Sequence, residues 1–489
     1  MPIDSPFAIS ALGVLTSAWP HVATILALAL SVTASGHAIL RKRDTRAAVG
    51  WVALAWLVPL IGPLLYWLLG INRISRRAKA LRIKRGRAPG WRTAPSSHDP
   101  AAVARALPRA THLTALARLG NAITHRPLVP GNTIALLDGG PAAYPAMLAA
   151  IDAATSAIAL CSYIFDDDAT GQRFVRALRA AVQRGVEVRV LIDAVGSHYS
   201  RPPVHKRLQR YGVRVALFLP TLAPARMSFL NLRNHRKILV VDGKVGFTGG
   251  MNIRDEYASN EQARDLHFRL AGPIVRHLMD CFAEDWSFTT GERLQGDSWF
   301  PEPEHAGSLL ARGIEDGPDE DFDALRHMLL GAVSCARSSL KIATPYFLPD
   351  SALATALGVA ALRGVDVEIL LPERGNLPLV QWAATHQLWE VLEPGCRVYL
   401  SRPPFDHSKV LLVDDAWSLI GTANWDPRSL RLNFEFNVEA YGSELAIPIA
   451  SWFEERRRTS REITVAELEA RPLSERLRDG LARLLSPYL

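Results

Sequence analysis

The sequence predicts an α/β protein in which one design is built twice, each copy a mostly β sheet flanked by helices, behind an N-terminal transmembrane helical hairpin. Three observations predict this. Short apolar, β-branched runs alternate with helix-length stretches, the same order of segments recurs in both halves of the chain, and two uncharged stretches precede them.

The hairpin comes first. Phe7 to Leu40 carries no Asp, Glu, Lys or Arg, and a first span is expected near residues 20–40. A signal peptide is the competing reading; it is disfavoured because no basic residues precede the apolar run and a second span follows at once. That second stretch, Ala47 to Gly70, has 24 uncharged residues. As one helix it would reach roughly 36 Å, enough for a hydrocarbon core of about 30 Å, with kinks expected at Pro59 and Pro63. Trp51 and Trp56 toward one end, and Tyr66 and Trp67 toward the other, suit the aromatic belts of a bilayer. A hairpin buried in a soluble core is the bland alternative.

Between Arg73 and Arg92 stand nine basic residues and no acidic one, a juxtamembrane collar that closes an N-terminal region of residues 1–92. The collar favours a cytoplasmic orientation for the domains that follow over the weaker opposing vote of RKRDTR at 41–46, in a multi-pass membrane protein.

A polar linker is expected over 93–130, a first domain over 131–305 and a second over 306–489, with a Pro-, Glu- and Gly-rich joint at 296–320. The duplication is visible in three alignments. AIDAATSAIALCSYIF (150–165) matches VSCARSSLKIATPYF (333–347) and sets Tyr163 against Tyr346; RGVEVRVLI (184–192) matches RGVDVEILL (363–371); YGVRVALF (211–218) matches PGCRVYLS (394–401). The tail from Ile463 reads as one or two amphipathic helices that pack on the domain or lie on a membrane.

Each half then ends in the same cassette: His, one residue, Lys, four residues, Asp, six residues, Gly, two residues, Asn. The first runs from His235 through Lys237, Asp242 and Gly249 to Asn252, and the second from His407 through Lys409, Asp414 and Gly421 to Asn424. A single copy would be weak, since three polar residues at a strand edge are usually a solvated face. Two copies in register are not explained by packing. The runs Lys237 to Val241 and Lys409 to Val413 read as buried strands, so each His and its Lys, two apart, share one face.

Imidazole, ammonium and amide groups are what a phosphodiester displacement requires. Two Lys with Asn252 and Asn424 can hold the non-bridging oxygens and offset charge in the transition state. One His can attack phosphorus while the other moves protons to and from the alcohols. The candidate catalytic set is His235, Lys237, Asp242, His407, Lys409 and Asp414, although the two Asp stand at strand ends and are expected to anchor loops. Asp265, 30 residues after His235, and Glu435, 28 after His407, are the candidate carboxylates that orient the imidazoles. Thr422 stands where the first cassette has Gly250 and is a candidate phosphate contact on one side only. The segment 217–233, apolar and leading into His235, is read either as a lipid entry or as a buried strand and loop.

Neither cassette has a carboxylate cluster for Mg²⁺ or a Walker lysine, and the four cysteines lack metal-ligand spacing, so no metal or cofactor is expected and the thiols read as free in a reducing compartment. The 48% hydrophobic content excludes a disordered chain, and the net charge of +8 fits anionic lipid, phosphate or nucleic acid. The basic residues adjoin an apolar span rather than interleave with aromatics, which favours lipid headgroups over nucleic acid.

With these residues in hand, the chain resembles the phospholipase D superfamily and, in detail, the bacterial cardiolipin synthases. The resemblance rests on the paired cassettes together with YIFDDDATG (163–171), FTGGMNIRDEY (247–257), TPYFLPD (344–350) and GTANWDPRSLRLNFEFN (421–437), and it covers nearly all the chain from residue 40. It implies two homologous phospholipase D-like domains sharing one active site. It also implies phosphatidylglycerol as substrate and transfer of its phosphatidyl group to a second phosphatidylglycerol, giving cardiolipin and glycerol. By the same analogy His235 is the nucleophile and His407 the acid/base; the residues themselves leave that symmetry unbroken. A hydrolase, a transferase for another alcohol and a membrane-tethered nuclease are the alternatives, and nothing in the sequence indicates an oligomeric state.

Overall fold

The computed structural model describes residues 6–42, 45–70, 101–124, 126–200, 202–220, 232–317 and 323–486. It divides into an N-terminal unit and a catalytic unit. The basic collar Arg73–Arg92 and most of the segment 217–233 lie outside the described residues.

In the N-terminal unit a helix runs over Pro6–Arg41, and its part Trp19–Arg41 is, among the described residues, the one helix long and apolar enough to cross a membrane. The stretch expected as a second span is not one helix. It folds as Thr45–Leu57, a break, Ile61–Leu65, and a π-helical turn at Tyr66–Gly70. Pro59 has no amide to donate and disfavours helix at the residue before it, and Leu60 takes a left-handed φ of 72°. The chain doubles back so closely that a Cβ on Gly62 would lie 2.1 Å from the Leu54 carbonyl oxygen. Polar contacts tie the two stretches: the Ser31 hydroxyl donates to Ala55 O at 2.6 Å, Trp56 Nε1 to Ser35 Oγ at 3.1 Å, and His37 Nδ1 lies 2.6 Å from the Tyr66 hydroxyl.

The catalytic unit is one fifteen-stranded mixed sheet with a two-stranded ribbon beside it. The first half supplies β1 (Val129–Asp138), β2 (Ala157–Ser162), β3 (Glu187–Asp193), β4 (Arg214–Phe218), β5 (Ile238–Val241), β6 (Val245–Gly249), β7 (Ala263–Arg264) and β8 (Leu266–Ala271). The second supplies β9 (Leu309–Asp316), β10 (Ser339–Ala343), β11 (Asp366–Pro372), β12 (Arg397–Ser401), β13 (Phe405–Asp406), β14 (Val410–Val413), β15 (Trp417–Gly421), β16 (Glu435–Tyr441) and β17 (Arg461–Ile463). The order is β17-β12-β11-β10-β14-β15-β16-β9, then β1-β8-β6-β5-β2-β3-β4, so the halves mirror each other about the antiparallel β9–β1 join. The parallel strands β2, β3, β4 and β10, β11, β12 carry the helical crossovers read from the repeat.

The crossover helices start at matching caps. Asp168 Oδ1 accepts from the Gly171 amide at 2.8 Å, and Asp350 Oδ1 from the Ala352 and Leu353 amides at 3.0 Å. The cassette strands β5 and β14 are wholly buried, as their composition predicts. The linker differs from expectation: its described part holds helices Ala101–Ala106 and Thr114–Thr124, and Val103, Leu113, Leu116 and Ala117 are buried in the core of the second half. Apolar residues at helical spacing outweigh the polar composition around them.

Candidate active site

Each histidine is placed by a short parallel bridge to the opposite half. Asn234 bridges Phe434, and the His235 amide donates to the Phe434 carbonyl at 2.9 Å; the residue after Phe434 is Glu435. Likewise β13 pairs in parallel with β7, and the His407 amide donates to the Arg264 carbonyl at 2.7 Å; the residue after Arg264 is Asp265. In-register parallel neighbours project side by side, so each imidazole meets the other half's carboxylate. His235 Nδ1 lies 3.0 Å from both carboxylate oxygens of Glu435, and His407 Nδ1 lies 2.8 Å from Asp265 Oδ2. Glu435, 28 residues after His407, thus serves the more distant histidine.

A carboxylate on Nδ1 holds the ring proton there and leaves Nε2 with its lone pair. Burial pushes both imidazoles well below the ordinary histidine range, and the charges of Lys237 and Lys409 add to this. They are therefore neutral before substrate binds. Burial also pushes Glu435 up to about 7 and Asp265 up to about 8, with lysine charge opposing the rise. The same burial brings Lys237 down to about 7 and Lys409 down to about 8. A dry site disfavours charge of either sign, and an entering phosphodiester anion would restore the proton to both lysines. Lys237 Nζ donates to His235 O at 2.8 Å, and Lys409 Nζ donates to His407 O.

Thr422, the candidate phosphate contact, spends its hydroxyl within the protein. It is fully buried, its hydroxyl donates to Glu435 Oε2 at 2.5 Å and accepts from the Phe436 amide at 3.0 Å, and it braces the carboxylate instead. On the other side a Cβ at Gly250 would lie 2.3 Å from Asp265 Oδ1, so the shorter carboxylate needs the glycine that the longer one does not. Asn252 Oδ1 accepts from the Ile164 amide at 3.2 Å, whereas the buried Asn424 Oδ1 has no partner among the described residues.

Asp242 and Asp414, both in the candidate catalytic set, hold loop amides, as their place at the strand ends led us to expect. Each stands at the far end of its strand from the histidine, at φ of 52° and 51°, a left-handed conformation that Asp tolerates when its side chain bonds locally. Asp242 accepts from the amides of Thr155, Ser156 and Ala157, and Asp414 from those of Arg337, Ser338 and Ser339. Asp414 also meets His112 Nε2 at 2.7 Å. The cassette glycines have an equally local cause: at φ of 155° and 154°, a Cβ on Gly249 or Gly421 would press to 2.5 Å on the carbonyl oxygen of Leu266 or Phe436.

Tyr163 and Tyr346 line the site, their rings edge-on to His235 at 5.3 Å and to His407 at 6.0 Å. Residues not singled out from sequence also reach it. Asn433 Nδ2 donates to Glu435 Oε1 at 3.0 Å, and the Phe405 ring lies 5.7 Å from that of His407. Asn433 stands two residues before Glu435 in NFEFN, and period-two strand spacing was the signal that could have found it.

A family profile described as cardiolipin synthase, phospholipase D-like domain, matches residues 147–286 and again 329–457, more than half of the chain. The chain belongs to the cardiolipin synthase family of the phospholipase D superfamily. A second profile, described as phospholipase D-nuclease N-terminal, matches residues 29–70. Among curated cardiolipin synthases, that of Geobacillus kaustophilus is 35% identical over 92% of this chain and 90% of its own length. The major cardiolipin synthase of Bacillus subtilis is 32% identical over 92% and 95%, and cardiolipin synthase A of Pseudomonas putida 32% over 94% and 96%. Among solved structures, a phosphatidylserine synthase of Haemophilus influenzae superposes with a TM-score of 0.61 at 15% identity, covering 77% of this chain and all of that one, and shares the fold. In this cardiolipin synthase family member the two matched segments each contain one histidine–lysine pair.

Proposed function

We infer that this chain is a phosphatidyltransferase that converts two phosphatidylglycerol molecules into cardiolipin and glycerol. The observation that carries the mechanism is the crossed arrangement of the two imidazoles, each with Nδ1 on a buried carboxylate of the opposite half. In the proposed sequence, His235 Nε2 attacks phosphorus of the first phosphatidylglycerol. The phosphorus–oxygen bond to the glycerol headgroup breaks, and His407, protonated once the phosphodiester is bound, gives its proton to the leaving oxygen. His407 then takes the proton of a hydroxyl on the second phosphatidylglycerol as that oxygen attacks the phosphohistidine and frees His235. Lys237, Lys409, Asn252 and Asn424 are the proposed phosphate-binding groups, with Asp265 and Glu435 as positioning residues. We further propose the domain boundaries 131–305 and 306–489; the mirrored strand order supports them.

The N-terminal apolar helix and the N-terminal profile match associate the chain with a membrane. We propose that the stretches Trp19–Arg41 and Thr45–Gly70 enter the bacterial inner membrane together as a hairpin and leave the catalytic unit in the cytoplasm. A reporter fused after Leu489 that is active only outside the cell would refute this orientation.

The catalytic proposal is tested by incubating membranes containing the full chain with headgroup-labelled phosphatidylglycerol, beside His235→Ala. Cardiolipin with stoichiometric free glycerol is expected, and neither from the variant. Phosphatidic acid as sole product would make the chain a hydrolase, and cleavage of nucleic acid without lipid turnover would overturn the proposal.

A further inference from the structure

The helix Leu473–Leu484 is inverted relative to an ordinary surface helix. Its buried side carries Asp479, fully enclosed and paired with Arg471 at 2.5 Å and Arg478 at 2.7 Å, and the small Ala482. Its outward side carries Leu473, Leu477, Leu481 and Leu484, which are 69, 58, 65 and 73% exposed. Spacings of four, four and three residues put these leucines on one stripe, and helical periodicity sets Arg476 and Arg478 at its two edges. A helix that turns its carboxylate inward and its leucines outward is built to meet an apolar medium.

The stripe is tied to the site. The helix packs on Pro378–Gln387, where Gly480 lets the two approach: a Cβ there would lie 3.3 Å from the His386 ring. Ala482, Ala383, Val380 and Leu348 form one buried cluster with Tyr346 packed against it. Tyr346 stands edge-on to His407 and donates its hydroxyl to Asn376 Oδ1 at 2.7 Å. The next residues, Leu377 and Leu379, are again exposed, at 49 and 42%.

We propose that Leu473–Leu484 is an interfacial helix that lies on the anionic lipid surface, seats its leucine stripe among the acyl chains, and so holds the His407 side of the site against the bilayer from which substrate is drawn. This rests on the phosphatidylglycerol reading above and adds a second membrane contact to the N-terminal anchor. The occupant follows from chemistry: an apolar stripe bordered by arginines matches the acyl chains and headgroup phosphates of an anionic monolayer.

The test uses the full chain in vesicles of phosphatidylglycerol and phosphatidylcholine. A nitroxide on Leu477→Cys, in a Cys335→Ser background, is compared with one on Lys244→Cys, which lies in the turn at the other end of β5 from His235. Oxygen, which partitions into lipid, is expected to relax the Leu477 label more than a water-soluble nickel chelate does, with the reverse at Lys244. Equal chelate access at both positions would overturn the proposal, and so would dipolar broadening at Leu477, which would assign the stripe to a second copy. In parallel, replacing Leu473, Leu477, Leu481 and Leu484 by Gln is expected to lower turnover of vesicle phosphatidylglycerol by about tenfold or more while leaving turnover of a monomeric short-chain phosphatidylglycerol unchanged. An unchanged vesicle rate would overturn the proposal, whereas a wild-type chain that turns over neither substrate would instead overturn the functional reading.

Discussion

Glu435 and His235 show how much of the chemistry resides in single contacts. The carboxylate is fully buried and receives hydrogen bonds from Thr422 and Asn433 as well as facing Nδ1. Glu435→Gln keeps the volume but presents an amide to donors and an ambiguous partner to the ring. We expect kcat to fall by about 10²–10⁴-fold with little change in KM, because the ring tautomer is lost while the phosphate-binding groups remain. Steady-state kinetics on phosphatidylglycerol vesicles decide it, and a change confined to KM would contradict a positioning role. The lysines set a pH limit of definite sign. With Lys237 at about 7 and Lys409 at about 8, both lose charge as pH rises, so kcat/KM, which reports the free enzyme, is expected to fall from about pH 7 and more steeply above about pH 8. The bound phosphodiester raises both values, so the fall in kcat comes at higher pH. Lys237→Arg, which cannot deprotonate, should move the onset of the kcat/KM limb upward toward about 8; an unmoved onset would assign it to another group.

At the scale of elements, the segment that enters β5 is doubly committed. His235 and Lys237 face the site, so Arg236 between them points to the opposite side, where Nη1 lies 2.8 Å from Asp285 and Nη2 3.9 Å from Glu315, and its Nε donates to Glu435 O at 3.1 Å. The second cassette has Ser408 there. Arg236→Ser should therefore destabilise by about 3–5 kcal/mol, because it leaves the buried Asp285 carboxylate without its cation, and denaturant unfolding measures the loss. The β5 and β14 strands were legible in sequence because buried strands have a composition, and the cassette Asp and Gly because left-handed backbone selects residue types. The break at Val58–Leu60 was half legible: proline marks a disruption, but whether it kinks a helix or reverses it depends on what packs alongside, here the close seat of Gly62 under Leu54. The bond from Thr422 to Glu435 was not legible because a strand pattern gives a side chain's face and not its hydrogen-bond partner.

At the scale of the whole molecule, duplication produced one site rather than two because the bridges cross. The β13–β7 pair and the Asn234–Phe434 bridge each join a strand entering a histidine to one entering the opposite carboxylate. No amount of local reading yields this, since His235 and Glu435 are 200 residues apart and sequence proximity suggests the wrong partner. The arrangement makes a prediction about coupling. Once His235→Ala has removed the ring, Glu435→Gln should cost nothing further in kcat/KM, since its effect passes through that ring, whereas Asp265→Asn should add its own cost on the His407 pathway in any background that retains measurable turnover. To keep turnover measurable, the cycle is run with Thr422→Val in place of the histidine variant. Thr422 braces Glu435 at 2.5 Å, so Thr422→Val with Glu435→Gln should be strongly sub-additive, and Thr422→Val with Asp265→Asn close to additive. If the halves worked separately, Glu435 would act through His407 and Asp265 through His235, and Glu435→Gln would still add its cost once the His235 ring was gone. Additivity in the first pair would contradict bracing through Glu435, and coupling in the second would contradict separate routes for Glu435 and Asp265.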